Sequence, residues 1–435
     1  MTAWSTDTVE SLAPDAASIR AGHKLATPAP WSQTGHDERA VWGRCQGSGK
    51  QPYQVQVDLQ GPAFSCSCPS RKIPCKHALG LLLLWAGSPA AVPAAEPPEP
   101  VRGWLGERAA RVERAAARAD APRDEEAAAR RAAERAERVA GGVQDLRLWL
   151  RDVVRGGLAA AQSRPYGYWD AFAARLVDAQ APGLASRVRA LGGIAAARVQ
   201  TWPERLLEEL GLLYLLCEAH DRPDALPEAL NADVRSLVGW TTPREEVLAG
   251  RRERDRWAVL AREIEEDDRL RVQRTWLWGL ESGRPALVLD FAPPGAPLAP
   301  GSPVGMALHG ELAFYPSAVP LRALVASDDA PLAPVREAFG HASAGEALAA
   351  AAAVLAANPW AGSWPLAIAA AVPDAPGDAP ALHAADGALP LTGHPAALWR
   401  LAALAAGSPV SVLGAWDGRA LRPLAAYAEE RAVTL

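Results

Sequence analysis

Cys66, Cys68, Cys75 and His77 stand together in the stretch Cys66-Ser-Cys68-Pro-Ser-Arg-Lys-Ile-Pro-Cys75-Lys-His77. Two close pairs of soft donors separated by a short loop suit one zinc ion, which takes thiolate sulfur at about 2.3 Å and imidazole nitrogen at about 2.0 Å at tetrahedral corners. The chain itself fills all four corners, so no position stays open for water or substrate. The metal is therefore expected to be structural and not catalytic. Five cysteines, three of them in this stretch, point to metal binding in a reducing compartment and away from a disulfide framework.

The elements around the quartet have to hold it. Arg39 to Cys45 and Tyr53 to Leu59 alternate as strands around the turn Gly47-Ser48-Gly49, with Val55, Val57 and Leu59 sharing a face. Cys66 and Cys68 would leave a strand end. Cys75 and His77 would open a helix that continues as Ala78-Leu-Gly-Leu-Leu-Leu-Leu-Trp85, and Pro69 and Pro74 stiffen the loop between the pairs. A unit this small has little core, so metal binding should supply much of its folding energy.

The C-x-C, short loop, C-x-H pattern resembles the SWIM zinc finger. Trp42-Gly43, Cys45-Gln-Gly-Ser-Gly49, Pro52-Tyr53, Val57-Asp58-Leu59, Cys68-Pro-Ser-Arg-Lys72 and Cys75-Lys-His-Ala-Leu-Gly-Leu81 are similar to the bacterial proteins of that family. The resemblance covers about Gly22 to Trp85 and carries the role of zinc ligand to Cys66, Cys68, Cys75 and His77. It implies binding of DNA or of other proteins. It also implies a neighbourhood of AAA-type ATPases and von Willebrand A-domain proteins, hence work in a multiprotein assembly.

Charge separates those two partners in part. The chain of 435 residues carries a net charge of −5, which is not the balance of a general nucleic-acid binder. Arg71, Lys72 and Lys76 lie in the finger with no acid between Cys66 and Trp85, so phosphate contacts, if made, are local to this loop. A protein partner is the favoured expectation and DNA the alternative.

No catalytic constellation emerges, and no enzyme is expected. Gly43 to Lys50 fails as a phosphate-binding loop, with five residues between Gly43 and Gly49 and Gln51 where Ser or Thr is needed. Cys217 and His220 share a helical face but lack two further ligands. Glu265-Glu-Asp-Asp268 reads as a solvated turn, and His309, His341, His383 and His394 have no partner nearby in sequence.

The whole chain is too long for one core and is read as α+β and multidomain. Residues 1–86 form the β-hairpin/helix finger, 87–106 an Ala/Pro linker, 107–142 a charged helical arm interrupted near Pro122, 143–240 a helical bundle and 241–435 a mixed α+β domain. In the bundle Leu206, Leu207, Leu210, Leu213, Tyr214 and Cys217 make a stripe after Pro203. In the last region a charged helix is expected over Pro243–Glu266. Strands are expected at Leu270–Trp278, Ala286–Phe291, Met306–Tyr315 and Val410–Trp416, and helices at Ala344–Ala357 and Pro395–Ala405. The first residues carry Asp7, Glu10 and Asp15 and lack the pattern of a secretory leader. The apolar runs Ala78–Ala86 and Ala347–Ala357 fall far short of the roughly 20 residues a membrane span needs. A cytoplasmic protein is expected.

Overall fold

The computed structural model describes residues 6–13, 16–47, 51–59, 63–70, 72–120, 125–197, 199–266, 270–293, 298, 302–428 and 431–435. The chain divides into two compact units. One is 1–123 with 264–273 and 290–301; the other is 124–263 with 274–289 and 302–435.

In the first unit, α1 (Thr6–Ser11) and α2 (Ala16–His23) precede an antiparallel sheet of β1 (Trp31–His36), β2 (Ala40–Cys45), β3 (Tyr53–Asp58) and β4 (Ala63–Cys66), paired in that order. The expected hairpin is thus the centre of a four-stranded sheet, and part of its Gly47-Ser48-Gly49 turn lies outside the described residues. Val55 and Val57 alternate inward with Gln54 and Gln56 less buried, as a strand with one covered face requires. The cover is α3 (Lys76–Gly87), buried at every residue from His77 to Trp85. Its run of leucines has no polar side because α1 and α2 pack on it as well as the sheet. Gly22 and Gly80 permit that close helix contact, since a Cβ at position 80 would lie 2.7 Å from the Leu25 Cβ.

The Pro-rich run read as a solvated linker is strapped along β1. The Thr34 hydroxyl donates to the Ala91 carbonyl at 2.8 Å, and the Ala95 amide donates to the His36 carbonyl at 3.0 Å. Next, α4 (Glu99–Asp120) lays Val101 and Leu105 over Ala40 and Trp42. Arg108 of α4 donates from Nε to the buried Asp58 carboxylate at 3.0 Å. Truncation at Arg108→Ala removes one charged partner of a buried carboxylate and is expected to cost about 1–3 kcal/mol. A thermal melt of the finger should show this, with Arg108→Lys recovering part of the loss.

The second unit opens with helices α5 (Glu125–Arg155), α6 (Leu158–Gln162), α7 (Tyr166–Asp178), α8 (Pro182–Ala196), α9 (Trp202–His220), α10 (Glu228–Val238) and α11 (Arg244–Ala249). α5 to α10 bury one bundle core through Leu146, Leu150, Trp169, Leu184, Leu191, Leu206, Leu210 and Leu213, while Val247 of α11 packs on Ala313 and Leu324. The expected stripe on α9 holds except at Leu207, which faces solvent.

The expected helix over Pro243–Glu266 is corrected. Only α11 is helical, and β5 (Arg252–Glu266) follows. The run of charges suggested helix. However, Trp257 to Ala261 are buried on both faces, and such an unbroken apolar run bounded by alternation is an interior strand. Beyond it come β6 (Arg271–Gly279), β7 (Pro285–Ala292), β8 (Met306–Phe314), β9 (Arg322–Val325) and β10 (Ala330–Pro334). The sheet order β10-β8-β5-β6-β7-β9 closes on itself through a further β8–β9 pairing, and β7 and β9 run parallel. Trp257, Val259, Leu277, Leu308, Leu312 and Phe314 fill the barrel.

This connectivity matches the five-stranded Greek-key barrel whose second and third strands present a ligand face in oligonucleotide-binding folds. Here that face is taken up by packing. Trp276 and Trp278 of the second strand are buried under Leu413, Ala415 and Tyr427 of the last sheet. That sheet contains β11 (Trp364–Pro373), β12 (Ala381–Ala384), β13 (Gly387–Pro390), β14 (Val410–Trp416), β15 (Leu421–Ala428) and β16 (Arg431–Thr434), in the order β13-β12-β11-β14-β15-β16. Its other face is covered by α12 (Ala344–Ala357) and α13 (Pro395–Ala405). No helix among the described residues is long and apolar enough to cross a membrane.

Candidate metal centre

Each ligand owes its place to an element end. Cys66 is the last residue of β4, and Cys68 follows two residues on. Cys75 is the N-cap of α3 in extended conformation, and His77 lies in the first turn. Hydrogen bonds fasten the loop at both ends: the Ser67 amide donates to the Gln54 carbonyl at 3.0 Å, and the Leu79 amide to the Cys75 carbonyl at 3.0 Å.

The three sulfurs and one imidazole nitrogen all lie within 4.8 Å of one another. His77 Nδ1 is 3.8 Å from Cys66 Sγ and 3.9 Å from Cys75 Sγ. A zinc tetrahedron with those donors has edges of about 3.5–3.8 Å, so one ion fits with small side-chain adjustment. Cys75 and His77 are buried, while Cys66 and Cys68 are half-buried. The donor chemistry fits zinc as well as the spacing does. A hydrogen bond from Cys66 holds the Cys75 thiol down to about 4, aided by His77 and by the His77 and Ala78 backbone amides. Cys66 is pushed up because it keeps the proton that the pair shares, and its burial adds to this. A cation placed among these sulfurs takes over the role of that proton.

The Tyr53 ring packs tilted, at 42°, against the His77 ring with 4.9 Å between centroids and restricts its orientation. This supporting contact was not read from the sequence. Tyr53 opens β3, and nothing in the spacing tied it to His77. Cys45, at the end of β2, is buried and outside the quartet, and burial pushes its thiol up. Cys217 lies in the bundle core, where burial pushes it up to about 12; His220 beside it is pulled down by burial and then by Arg235 and Arg147. Among the described residues, the quartet is the only metal-compatible group of cysteine, histidine and carboxylate.

Of the basic residues expected near the metal, Lys72 and Lys76 are exposed and border a concavity of about 500 Å³ together with Tyr53, Ser70 and His77. Arg71 lies outside the described residues.

Two family models match the chain: the SWIM zinc finger over residues 53–86 and the SWIM-associated four-helix bundle domain over residues 134–238. The first spans β3, β4, the quartet and α3; the second spans most of α5 through α10. No curated protein and no solved structure matches the chain at a significant level. A closed Cys3His clip that fits one structural zinc ion, followed by that bundle, gives this chain a SWIM zinc finger and a SWIM-associated four-helix bundle domain.

Proposed function

We propose that the protein is a non-catalytic interaction module that binds a protein partner within a larger assembly. The observation that carries this reading is an apolar stripe left in solvent on the bundle. Leu207 and Leu215 of α9 are 51% and 45% exposed, and Gly211 between them keeps the surface open. The spacing of four places all three residues on one helical face. On neighbouring α5, which reaches α9 through the Arg147–Glu218 ion pair, Leu148 is 59% exposed. Apolar surface of this kind is costly to keep wet and suits a protein contact. The implied AAA-type ATPase or von Willebrand A-domain protein is a partner to test first.

DNA binding through the finger is the second reading, and it rests on Lys72 and Lys76 beside the α3 N-terminus. Its scale is limited. α3 is buried from His77 to Trp85, so it is not free to enter a groove as a recognition helix. Two or three phosphate contacts give weak and salt-sensitive binding.

A nuclease-treated pull-down with the full chain separates the two. The partner should survive nuclease, and Leu207→Glu with Leu215→Glu should abolish its capture while zinc remains bound. In a mobility shift, neutralising Arg71, Lys72 and Lys76 should change little. A nuclease-sensitive partner, or a strong DNA shift lost on neutralisation, would establish the DNA reading in its place.

A further inference from the structure

Within the second unit, a cleft of about 390 Å³ lies between α8 and α9 on one side and the α12–β11 and β14–β15 turns on the other. Its volume falls in the range of small-molecule sites, about 300–1,000 Å³. Two half-buried indoles, Trp364 and Trp416, are cross-strand partners on its wall, and Leu212 and Val354 add apolar surface.

The charges of the cleft decide what it could take. Three arginines and three acids line it: Arg187, Arg205 and Arg419 with Glu208, Glu209 and Asp417. Four of them are spent on each other. Arg419 donates to Glu208 at 3.1 Å, and Arg205 lies 3.9 Å from Asp417. The turn that presents Asp417 and Arg419 is fixed, because the Asp417 carboxylate accepts the Arg419 and Ala420 amides at 2.9 Å and 2.8 Å. That leaves Arg187 on α8 and Glu209 on α9, one cation and one anion. Among the described residues, Arg187 has no hydrogen bond or ion pair beyond its attraction to Glu209. Burial pulls its guanidinium below the ordinary value, so it is short of water as well as of a partner. A lone anion would gain Arg187 and meet Glu209, Glu208 and Asp417. A lone cation would meet the opposite conflict.

We propose that this cleft binds a free α-amino acid with an apolar side chain, its carboxylate on Arg187, its ammonium on Glu209 and its side chain against the tryptophan wall. A zwitterion is neutral overall and supplies both missing partners from adjacent atoms. Desolvated charge pairing of this kind discriminates strongly, because an analogue lacking either group leaves a half-buried charge unmatched. The site is independent of the finger and of the exposed bundle stripe.

The test is isothermal titration of the zinc-loaded full chain with L-phenylalanine, L-leucine and L-tryptophan. Two analogues of phenylalanine serve as arms, 3-phenylpropanoate without the ammonium and 2-phenylethylamine without the carboxylate. Saturable binding of at least one amino acid is expected. Each phenylalanine analogue should bind at least about tenfold more weakly than L-phenylalanine, and Arg187→Met and Glu209→Gln should each weaken amino-acid binding at least about tenfold. If Arg187→Met proves unfolded, Glu209→Gln carries the same comparison. Absence of heat for all three amino acids to about 10 mM, or 3-phenylpropanoate binding as tightly as L-phenylalanine, overturns the proposal.

Discussion

Cys75→Ser should abolish zinc binding and unfold the finger while leaving the helical bundle folded. Cys75 supplies one of four donors within 4.8 Å of each other, and serine at this N-cap position of α3 keeps the cap while losing the thiolate. Structural zinc contributes on the order of 10–16 kcal/mol to folding in zinc-finger peptides near neutral pH. The whole stability of a domain is only about 5–15 kcal/mol. Loss of one thiolate should therefore outweigh what the α3 leucines can retain, even though Leu79, Leu81, Leu82 and Leu84 are fully buried. Near-UV circular dichroism and protease sensitivity within residues 16–87 check this, and a chelator acting on the wild type should reproduce it. A Cys75→Ser protein that resists protease in this segment as the wild type does would mean that the core, and not the metal, holds the finger.

Trp360→Ala should be among the most damaging single substitutions in the second unit. Trp360 follows α12 in the loop before β11, yet its ring is 6% exposed because it plugs into the bundle core. Its Nε1 donates to the Leu212 carbonyl on α9 at 2.9 Å, and its amide donates to the side chain of buried Asn358 at 2.9 Å. Truncating a buried tryptophan costs about 3–5 kcal/mol. The loss should appear as an earlier urea midpoint, with zinc content unchanged because the finger is not involved. A loss below about 1 kcal/mol would mean that the cavity refills or that the plug contributes little.

The metal quartet was legible in the sequence because its information is local: four donors in one stretch, spaced as two pairs. The helices Ala344–Ala357 and Pro395–Ala405 and the strand Val410–Trp416 were equally local, each an apolar run between clear breakers. What the sequence hid was partnership over distance. Barrel closure depends on β8 pairing with both β5 and β9, which no periodicity announces. The failure at β5 has the same origin. Arg252, Arg254 and Arg256 look like helix surface until β8 pairs beside β5 and the fold brings up the acids that take them, Glu311, Asp329 and Glu337, from 55 or more residues further along the chain. Likewise the α1–α2 cover on α3 explains why the leucine run is apolar all round, and two short helices at the chain start gave little signal of their own. Arg187 and Glu209 lie on different helices, so only the fold makes them neighbours.

The central claim is that one zinc ion, held by Cys66, Cys68, Cys75 and His77, organises the finger of this protein. Elemental analysis of the full chain, purified reduced and without added metal, measures it directly. One zinc per chain in the wild type, falling to none in Cys75→Ser, is the predicted result. A wild-type zinc content near zero, in protein whose thiols remain reduced and whose finger remains folded, would contradict it.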